Sequence, residues 1–222
     1  MKIFIKFLTL GLATFALSGG VSAEQSQGGY KPSTKRVSSY MRIYGPANPP
    51  YGFVQFCSSN PTDCRNNTSM MRRIHVTKER LSELAEINKL VNDSIEPVTD
   101  MEIYGVTEHW TVPTRKGDCE DYALLKRKLL IQRGWPESAL LLTVVRDEVG
   151  DGHAVLTIRT AQGDYILDNK LDGVRIWTQT PYRYLMRQSY LNPIVWVALD
   201  AGINTRGDMQ VSGSSTDKFK AW

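Results

Sequence analysis

Apolar residues recur at helical spacing in two segments of the first half of the chain. From Lys78 to about Ile95 they form one stripe opposite a charged face, and Thr77 stands where an N-cap residue is expected. A second amphipathic segment starts at Cys119 and carries Tyr122 and several leucines at the same spacing, among strong helix formers. The pattern therefore predicts two amphipathic helices, separated by an irregular approach to Cys119.

The second half of the chain alternates short apolar, β-branched runs with turns, which is the pattern of strands. Gly152 opens one such run and Asn169 closes the next, whereas Tyr182 to Gln188 is predicted to be a short helix or an irregular segment. Further strands are predicted at 140–146, 174–177 and 194–199. Together these elements predict an α+β fold, in which the helix at Cys119 packs on an antiparallel sheet.

The two ends of the chain differ from the domain between them. Residues 1–23 combine a lysine-bearing start, an apolar core and a small-residue cleavage site, which is the pattern of a secretory signal peptide. Residues 24–40 are predicted to form a flexible lead-in, residues 41–200 the folded domain, and residues 201–222 a flexible tail. The prediction is an exported protein whose mature chain has no membrane span.

The charge of the chain gives little indication of a partner. The full sequence carries a net charge of +4, and loss of the signal peptide with its two lysines lowers the net charge to about +2. A balance this small does not indicate binding to nucleic acid or to a membrane surface.

The three cysteines divide into a pair and a single residue. Cys57 and Cys64 flank a short loop, and in an exported protein such a pair is most simply a disulfide, with a metal clip as the alternative. Cys119 is then the free thiol. An oxidoreductase that uses its cysteines is a further alternative, which the lack of a C-x-x-C pair disfavours.

Candidates for two catalytic partners follow the free cysteine along the chain. Cys119 falls in or just before the first turn of its helix, where backbone N–H groups favour a thiolate. His153 begins a predicted strand and Asp168 ends the next one, so the order is that of a Cys-His-Asp triad. The alternatives are His109 as the base, although it precedes the cysteine, and Asn169 as the third member, although it points to the opposite strand face.

The distance between His153 and Asp168 depends on the turn that joins their strands. A four-residue loop from Arg159 to Gln162 places the two residues directly opposite each other on one face of the sheet. A tight turn at Gln162-Gly163 instead shifts the pair about four residues out of register. We predict the wider loop.

Three ordered blocks of sequence carry a resemblance to a known family. Gly117–Ala123 reads GDCEDYA, Gly152–Leu156 reads GHAVL, and Gly163–Asn169 reads GDYILDN. In these blocks the chain resembles the bacterial transglutaminase-like cysteine peptidases, which include the LapG-type periplasmic proteases, over roughly residues 88–196. The resemblance implies a papain-like, transglutaminase-core fold and a periplasmic cysteine endopeptidase.

Residues beside the nucleophile are expected to shape its cleft. Trp110 is predicted to pack beside the thiol, and Asn169 to lie next to the triad. Asn88 lies in the part of the chain that matches the family, which implies that it lines the cleft. The alternative for Asn88 is that it faces solvent or holds a neighbouring loop.

The resemblance also implies a metal, because LapG-type members depend on calcium. The matching acidic positions are Asp118, Glu120 and Asp121, with Glu137 as a guess for a further ligand, and carboxylate oxygens are the ligands that Ca²⁺ prefers. The alternative is that these acids only favour the start of a helix. No organic cofactor is expected.

The substrate and the regulator are implied by the resemblance alone. LapG-type proteases cut large surface adhesins near their N-terminus, which releases cells from biofilm, and an inner-membrane receptor that senses cyclic di-GMP restrains them. The enzyme alternatives are a transglutaminase-like acyltransferase and a cell-wall peptide amidase, because both use the same triad. A non-catalytic binding module is the alternative outside enzymes, and the intact Cys119, His153 and Asp168 disfavour it.

Overall fold

The computed structural model describes residues 38–65 and 73–202. The predicted signal peptide, most of the lead-in and nearly all of the C-terminal tail lie outside the described residues. Both predicted amphipathic helices are present, at 78–94 and 119–132. The Thr77 side chain caps the first of them, since its hydroxyl oxygen accepts a hydrogen bond from the backbone N–H of Arg80 at 3.3 Å.

The described residues form four α-helices, a seven-stranded antiparallel sheet and a two-stranded parallel ladder. In chain order the elements are β1 Gly45–Ala47, α1 Tyr51–Ser59, α2 Lys78–Ser94, β2 Glu96–Pro97, α3 Asp100–Tyr104, β3 Lys116–Gly117, α4 Cys119–Gln132, β4 Leu140–Arg146, β5 Gly152–Arg159, β6 Asp164–Leu167, β7 Arg175–Ile176, β8 Arg183–Gln188 and β9 Trp196–Ala198. The strand order in the large sheet is β1-β9-β8-β4-β5-β6-β7. No helix in the described part of the chain is both long and apolar enough to cross a membrane.

Both faces of the central strands are covered, which explains their nearly continuous apolar runs. On one face α2 and α4 pack against the sheet, with Leu84, Val91 and Leu130 from the helices meeting Leu156 and Ile158 of β5. A smaller cluster covers the other face, formed by Met41, Val145, Val155, Ile166, Tyr184 and Leu199. The α+β prediction is therefore confirmed, with the helix of Cys119 packed on an antiparallel sheet.

The prediction for residues 182–188 is wrong, because Arg183–Gln188 is strand β8, next to β4 in the middle of the sheet. The hydrophobic pattern does not reveal this strand because it contains Arg187, an arginine that is only 1% exposed. Its guanidinium pairs with the buried carboxylate of Asp164 at 3.2 Å. A buried ion pair thus occupies a strand position that the pattern expects to be apolar.

The turn between β5 and β6 also differs from the prediction. Arg159 pairs with Asp164, so the four-residue loop is 160–163 rather than 159–162. The Thr160 hydroxyl accepts the N–H groups of Gln162 and Gly163, and Gly163 adopts a φ of 150°, which favours glycine. Asp168 therefore lies two positions away from direct register with His153, still on the same face of the sheet.

Cys57 and Cys64 form the predicted disulfide, which joins the last turn of α1 to the turn that follows it. Phe53 of the same helix packs edge-on against Trp110 and Trp196, with ring centroids 5.8 and 5.2 Å away. The disulfide therefore closes a local loop at the end of α1, and the aromatic cluster attaches the helix to the body of the domain.

Candidate active site

Cys119 is the first residue of α4 and the one free cysteine of the sequence. Two residues before it, the backbone at Gly117 passes close to Asp121. A Cβ atom at Gly117 would lie only 2.6 Å from a carboxylate oxygen of Asp121. The half-buried sulfur of Cys119 accepts a hydrogen bond from the backbone N–H of Ala154 at 3.3 Å. This bond sets the thiol beside the start of β5, next to His153.

The His153 ring and the Asp168 carboxylate are buried together. His153 Nε2 lies 2.8 Å from Asp168 Oδ1, and the two residues are 3% and 2% exposed. The shifted turn places His153 and Asp168 diagonally across β5 and the end of β6, and their side chains are still in direct contact. His153 Nε2 donates its hydrogen to the Asp168 carboxylate oxygen. Nδ1 is therefore the ring nitrogen that can exchange a proton with a thiol.

The Asp168 carboxylate has further hydrogen-bond donors. The Tyr182 hydroxyl donates to Oδ2 at 2.5 Å, and the backbone N–H of Lys170 donates to Oδ1 at 3.0 Å. Burial acts to raise the pKa of Asp168, but the hydrogen bond and charge of His153 and the Tyr182 hydroxyl hold it below its usual value. The carboxylate is therefore ionised and able to orient the imidazole.

Two asparagines of α2 hold the backbone of the same aspartate. Asn88 Oδ1 accepts from the Asp168 N–H at 3.1 Å, and Asn92 Nδ2 donates to the Asp168 carbonyl at 3.0 Å. Asn88 Nδ2 also donates to the carbonyls of Leu171 and Asp172. Asn88 is fully buried, so the prediction that it lines the cleft is wrong, and the alternative that it holds a neighbouring loop is correct.

The two other predicted cleft residues have different surroundings. Trp110 is 5% exposed and packs into the aromatic cluster with Phe53 and Trp196, so it belongs to the core rather than to an open cleft. Asn169 is half-buried, and its side-chain oxygen has no hydrogen-bond partner within the described ranges. That Trp110 packs beside the thiol and shapes its cleft stays a prediction.

The thiol has an acidic neighbour. Cys119 Sγ lies 3.2 Å from Glu120 Oε2, and within the described ranges this sulfur makes no hydrogen bond to the His153 ring. Burial of the sulfur, with the charges of Glu120 and Asp118, raises the pKa of the Cys119 thiol well above its usual value. The thiol in this arrangement is protonated and donates to the carboxylate.

Three carboxylates gather beside the thiol, but they are not the three that the sequence suggested. Asp100, Asp118 and Glu120 each offer an oxygen, and these oxygens lie within 4.8 Å of one another. Asp121 is not in the group, because its Oδ1 accepts the backbone N–H of Thr111 at 2.8 Å. Glu137 lies elsewhere, 3.4 Å from the guanidinium of Arg127.

The three carboxylates are buried and act on one another's pKa. Burial, followed by repulsion from Asp118, raises the pKa of Asp100 to about 6. Burial, followed by repulsion from Asp118, also raises the pKa of Glu120 well above its usual value. Oδ1 of Asp100 and Oδ1 of Asp118 are buried without a hydrogen-bond partner in the described part of the chain. Such oxygens suit a hard cation.

Sequence reasoning missed Tyr182 and Asp100. Tyr182 stands just before a strand that the pattern did not reveal, so nothing local indicated its contact with Asp168. Asp100 carried a usable signal, because Thr99 and Glu102 form a capping box that marks the start of α3. Its contact with Asp118, whose Oδ2 accepts the Asp100 N–H at 3.3 Å, joins segments far apart in sequence.

Comparisons with known proteins agree with the motifs. The profile of the bacterial transglutaminase-like cysteine proteinase family matches residues 43–204. No curated protein matches the sequence.

Solved structures of LapG from Legionella pneumophila are similar to the chain. The calcium-bound form is 22% identical with a TM-score of 0.46, over 56% of this chain and 72% of that one. The EGTA-treated form is 24% identical with a TM-score of 0.45, over 53% and 66%. On the family match, which spans most of the sequence, the chain belongs to the bacterial transglutaminase-like cysteine proteinases and is a cysteine peptidase.

Proposed function

We propose that the chain is an exported cysteine endopeptidase whose catalytic triad is Cys119, His153 and Asp168. The observation that carries the proposal is the buried 2.8 Å contact between His153 and Asp168, next to the backbone N–H that bonds the Cys119 sulfur. The adhesin-like substrate at the cell surface, the release of biofilm and restraint by an inner-membrane cyclic di-GMP receptor are proposed on the resemblance.

The proposed reaction needs one rearrangement of the thiol. Cys119 must turn from Glu120 to His153 Nδ1, which accepts the thiol proton while Asp168 stabilises the imidazolium that forms. The sulfur attacks the carbonyl carbon of the scissile peptide, and the imidazolium gives its proton to the leaving amine. Water, deprotonated by the same ring, then hydrolyses the thioester and releases the thiol and a carboxylic acid.

The proposal is tested with the mature chain recovered from the periplasm of the host and the host's largest exported adhesin-like protein. The wild type is expected to cleave it, and Cys119→Ala and His153→Ala to leave it intact with unchanged thermal unfolding. His109→Ala is the matched control, because this histidine is exposed and stacks on Tyr104, so the variant should cleave normally.

Each other outcome has a defined meaning for the reaction class. Cleavage by Cys119→Ala would rule out the triad. Incorporation of an added amine in preference to water would identify the acyltransferase instead. Absence of any cleavage by the wild type, with calcium present, would remove the endopeptidase proposal. A mature chain that stays in the cytoplasm would remove the proposal of export.

We also propose that Asp100, Asp118 and Glu120 hold a calcium ion. The unpartnered carboxylate oxygens and the raised pKa of Asp100 support this set, which differs from the sequence prediction by Asp100 in place of Asp121. A bound calcium ion would supply positive charge that offsets the acids beside the thiol.

Two asparagine variants distinguish the calcium ligands proposed from the structure from those predicted from the sequence. In isothermal titration with Ca²⁺, Asp100→Asn is expected to weaken binding at least tenfold, because it removes a charged ligand. Asp121→Asn should bind as the wild type does, since an amide oxygen can still accept the Thr111 N–H. Equal loss in both variants, or no binding by the wild type, would contradict the site.

A further inference from the structure

The ladder between β5 and β6 ends before it reaches the proposed catalytic pair. Its last paired residues at this end are Leu156 and Leu167. His153 and Asp168 therefore both lie beyond the backbone pairing that joins the two strands. The ladder alone does not fix the distance between their side chains.

Different neighbours hold the backbones of the two residues. His153 follows the hairpin that joins β4 to β5, and it is paired with Val145 of β4. The backbone of Asp168 is instead held by Asn88 and Asn92 of α2. A connection that fixes the two residues relative to each other must therefore join the β4–β5 hairpin to the segment that follows β6.

An ion pair makes this connection. The Lys170 ammonium lies 2.8 Å from Asp147 Oδ2, and the Asp147 side chain is only 2% exposed. Its carboxylate is thus shielded from water, unlike those of surface ion pairs, which contribute little. The backbone N–H of Lys170 donates to Asp168 Oδ1 at 3.0 Å. Lys170 therefore contacts the proposed catalytic carboxylate through its backbone and the hairpin through its side chain.

Asp147 also organises the turn that leads to His153. Its Oδ1 accepts the backbone N–H groups of Val149 and Asp151 at 3.1 and 2.9 Å. Its own N–H donates to the carbonyl of Asp151 at 3.0 Å, two residues before His153. One oxygen of the Asp147 carboxylate thus binds the turn, and the other binds Lys170.

We propose that Asp147 and Lys170 are positioning residues of the peptidase, whose ion pair holds the hairpin before His153 against the segment of Asp168 and keeps the two side chains in hydrogen-bonding contact. The effect on activity rests on the proposed triad. A displacement of about 1 Å at a catalytic group can lower a rate roughly a hundredfold. A contact outside the triad that fixes this distance therefore bears on catalysis.

The first readout needs no substrate. In the ¹⁵N-labelled mature protein, the His153 Nε2–H that donates to Asp168 is followed by its downfield proton resonance, and its exchange with water reports how firmly the contact is held. In Lys170→Met the exchange rate is expected to rise roughly tenfold, because a hydrogen bond between charged groups no longer restrains the opening.

Two variants break the ion pair from its two ends. Lys170→Met removes the ammonium and keeps the backbone N–H that bonds Asp168. Asp147→Asn keeps an oxygen for the turn, but its NH₂ group cannot accept from the ammonium. The double variant should exchange no faster than either single variant, because all three lack the same interaction. If Asp147→Asn does not fold, Lys170→Gln replaces it as the second uncharged variant.

Lys89→Met is the matched control. Lys89 forms an ion pair of similar length with Asp93, at 2.9 Å, but both side chains are exposed on α2. The same substitution there should leave both the exchange of the His153 Nε2–H and the cleavage rate unchanged.

The second readout is cleavage of the adhesin-like substrate. In Lys170→Met and in Asp147→Asn we expect kcat to fall about tenfold with KM little changed, because the ion pair positions the base and does not bind substrate. Wild-type exchange in folded Lys170→Met, additive effects of the two variants, or faster exchange with an unchanged kcat would overturn the inference. Absence of the downfield resonance in the wild type would also overturn it.

The two proposals fail in different ways. If the wild type cleaves and both variants match it in exchange and in kcat, the ion pair has no positioning role and the triad is unaffected. If the wild type has no peptidase activity, the proposed function fails. The exchange rates then still decide whether the ion pair holds His153 against Asp168.

Discussion

At the scale of single residues, Tyr182 is the contact that most clearly bears on the orientation of the proposed base. Its hydroxyl donates to Asp168 Oδ2, and its ring meets the His153 ring edge-on with centroids 5.4 Å apart. Burial and the neighbouring Asp168 carboxylate raise the pKa of Tyr182, so the hydroxyl is a permanent donor. It therefore holds the carboxylate through Oδ2, the oxygen that does not contact His153 Nε2.

Removal of this hydroxyl is expected to lower activity while leaving the fold intact. We expect Tyr182→Phe to reduce kcat/KM roughly five- to thirty-fold, which corresponds to about 1–2 kcal/mol for a hydrogen bond to a charged group. Tyr184→Phe is the control, because its hydroxyl bonds Thr180 at 2.9 Å rather than Asp168. Steady-state cleavage and thermal unfolding of both variants check the prediction, which equal activities in the two would contradict.

At the scale of secondary-structure elements, the sequence predicts the helices better than it predicts the segments that pack against them. The apolar stripe and the Thr77 cap were sufficient to predict α2. The same pattern left open whether Asn88 faces solvent, lines the cleft or holds a neighbouring loop, because it says nothing about the segment that meets Asn88. That segment follows β6, and only the folded chain brings it to α2. Helical periodicity reports a buried face, not what covers it.

The strand errors have the same physical origin. A hydrophobic pattern could not reveal β8, because Arg187 is buried through its pairing with Asp164. The register of β5 and β6 depends on hydrogen bonds within the Thr160 turn and on the backbone of Gly163, which alternation of apolar residues does not encode. The triad prediction tolerated this error, since a shift of two positions keeps both side chains on one face.

At the scale of the whole molecule, the proposed site depends on three parts of the chain that local sequence cannot bring together. α4 contributes the thiol, the sheet contributes His153 and Asp168, and α3 contributes Asp100. The motifs marked the first two parts because their residues lie in recognisable blocks. The contact of α3 with the start of α4 depends on the packing of the segment between α2 and α4, which no motif describes.

The disulfide belongs to the same scale, because it acts on α1, which packs far along the chain against Trp196. Closing a short loop between Cys57 and Cys64 removes unfolded-state entropy equivalent to roughly 2–2.5 kcal/mol in the chain-entropy treatment. The double variant Cys57→Ser with Cys64→Ser is therefore expected to lose about 2 kcal/mol of unfolding free energy in chemical denaturation.

Peptidase activity should survive this loss at low temperature, because neither the thiol of Cys119 nor the contact between His153 and Asp168 involves α1. The comparison also isolates Cys119 as the remaining thiol, so alkylation of the native wild type and of the double variant should each modify one cysteine. An unchanged denaturation midpoint would show that the aromatic packing of Phe53 alone holds α1. Loss of activity in the folded double variant would show that α1 supports the site through the Trp110 and Trp196 cluster.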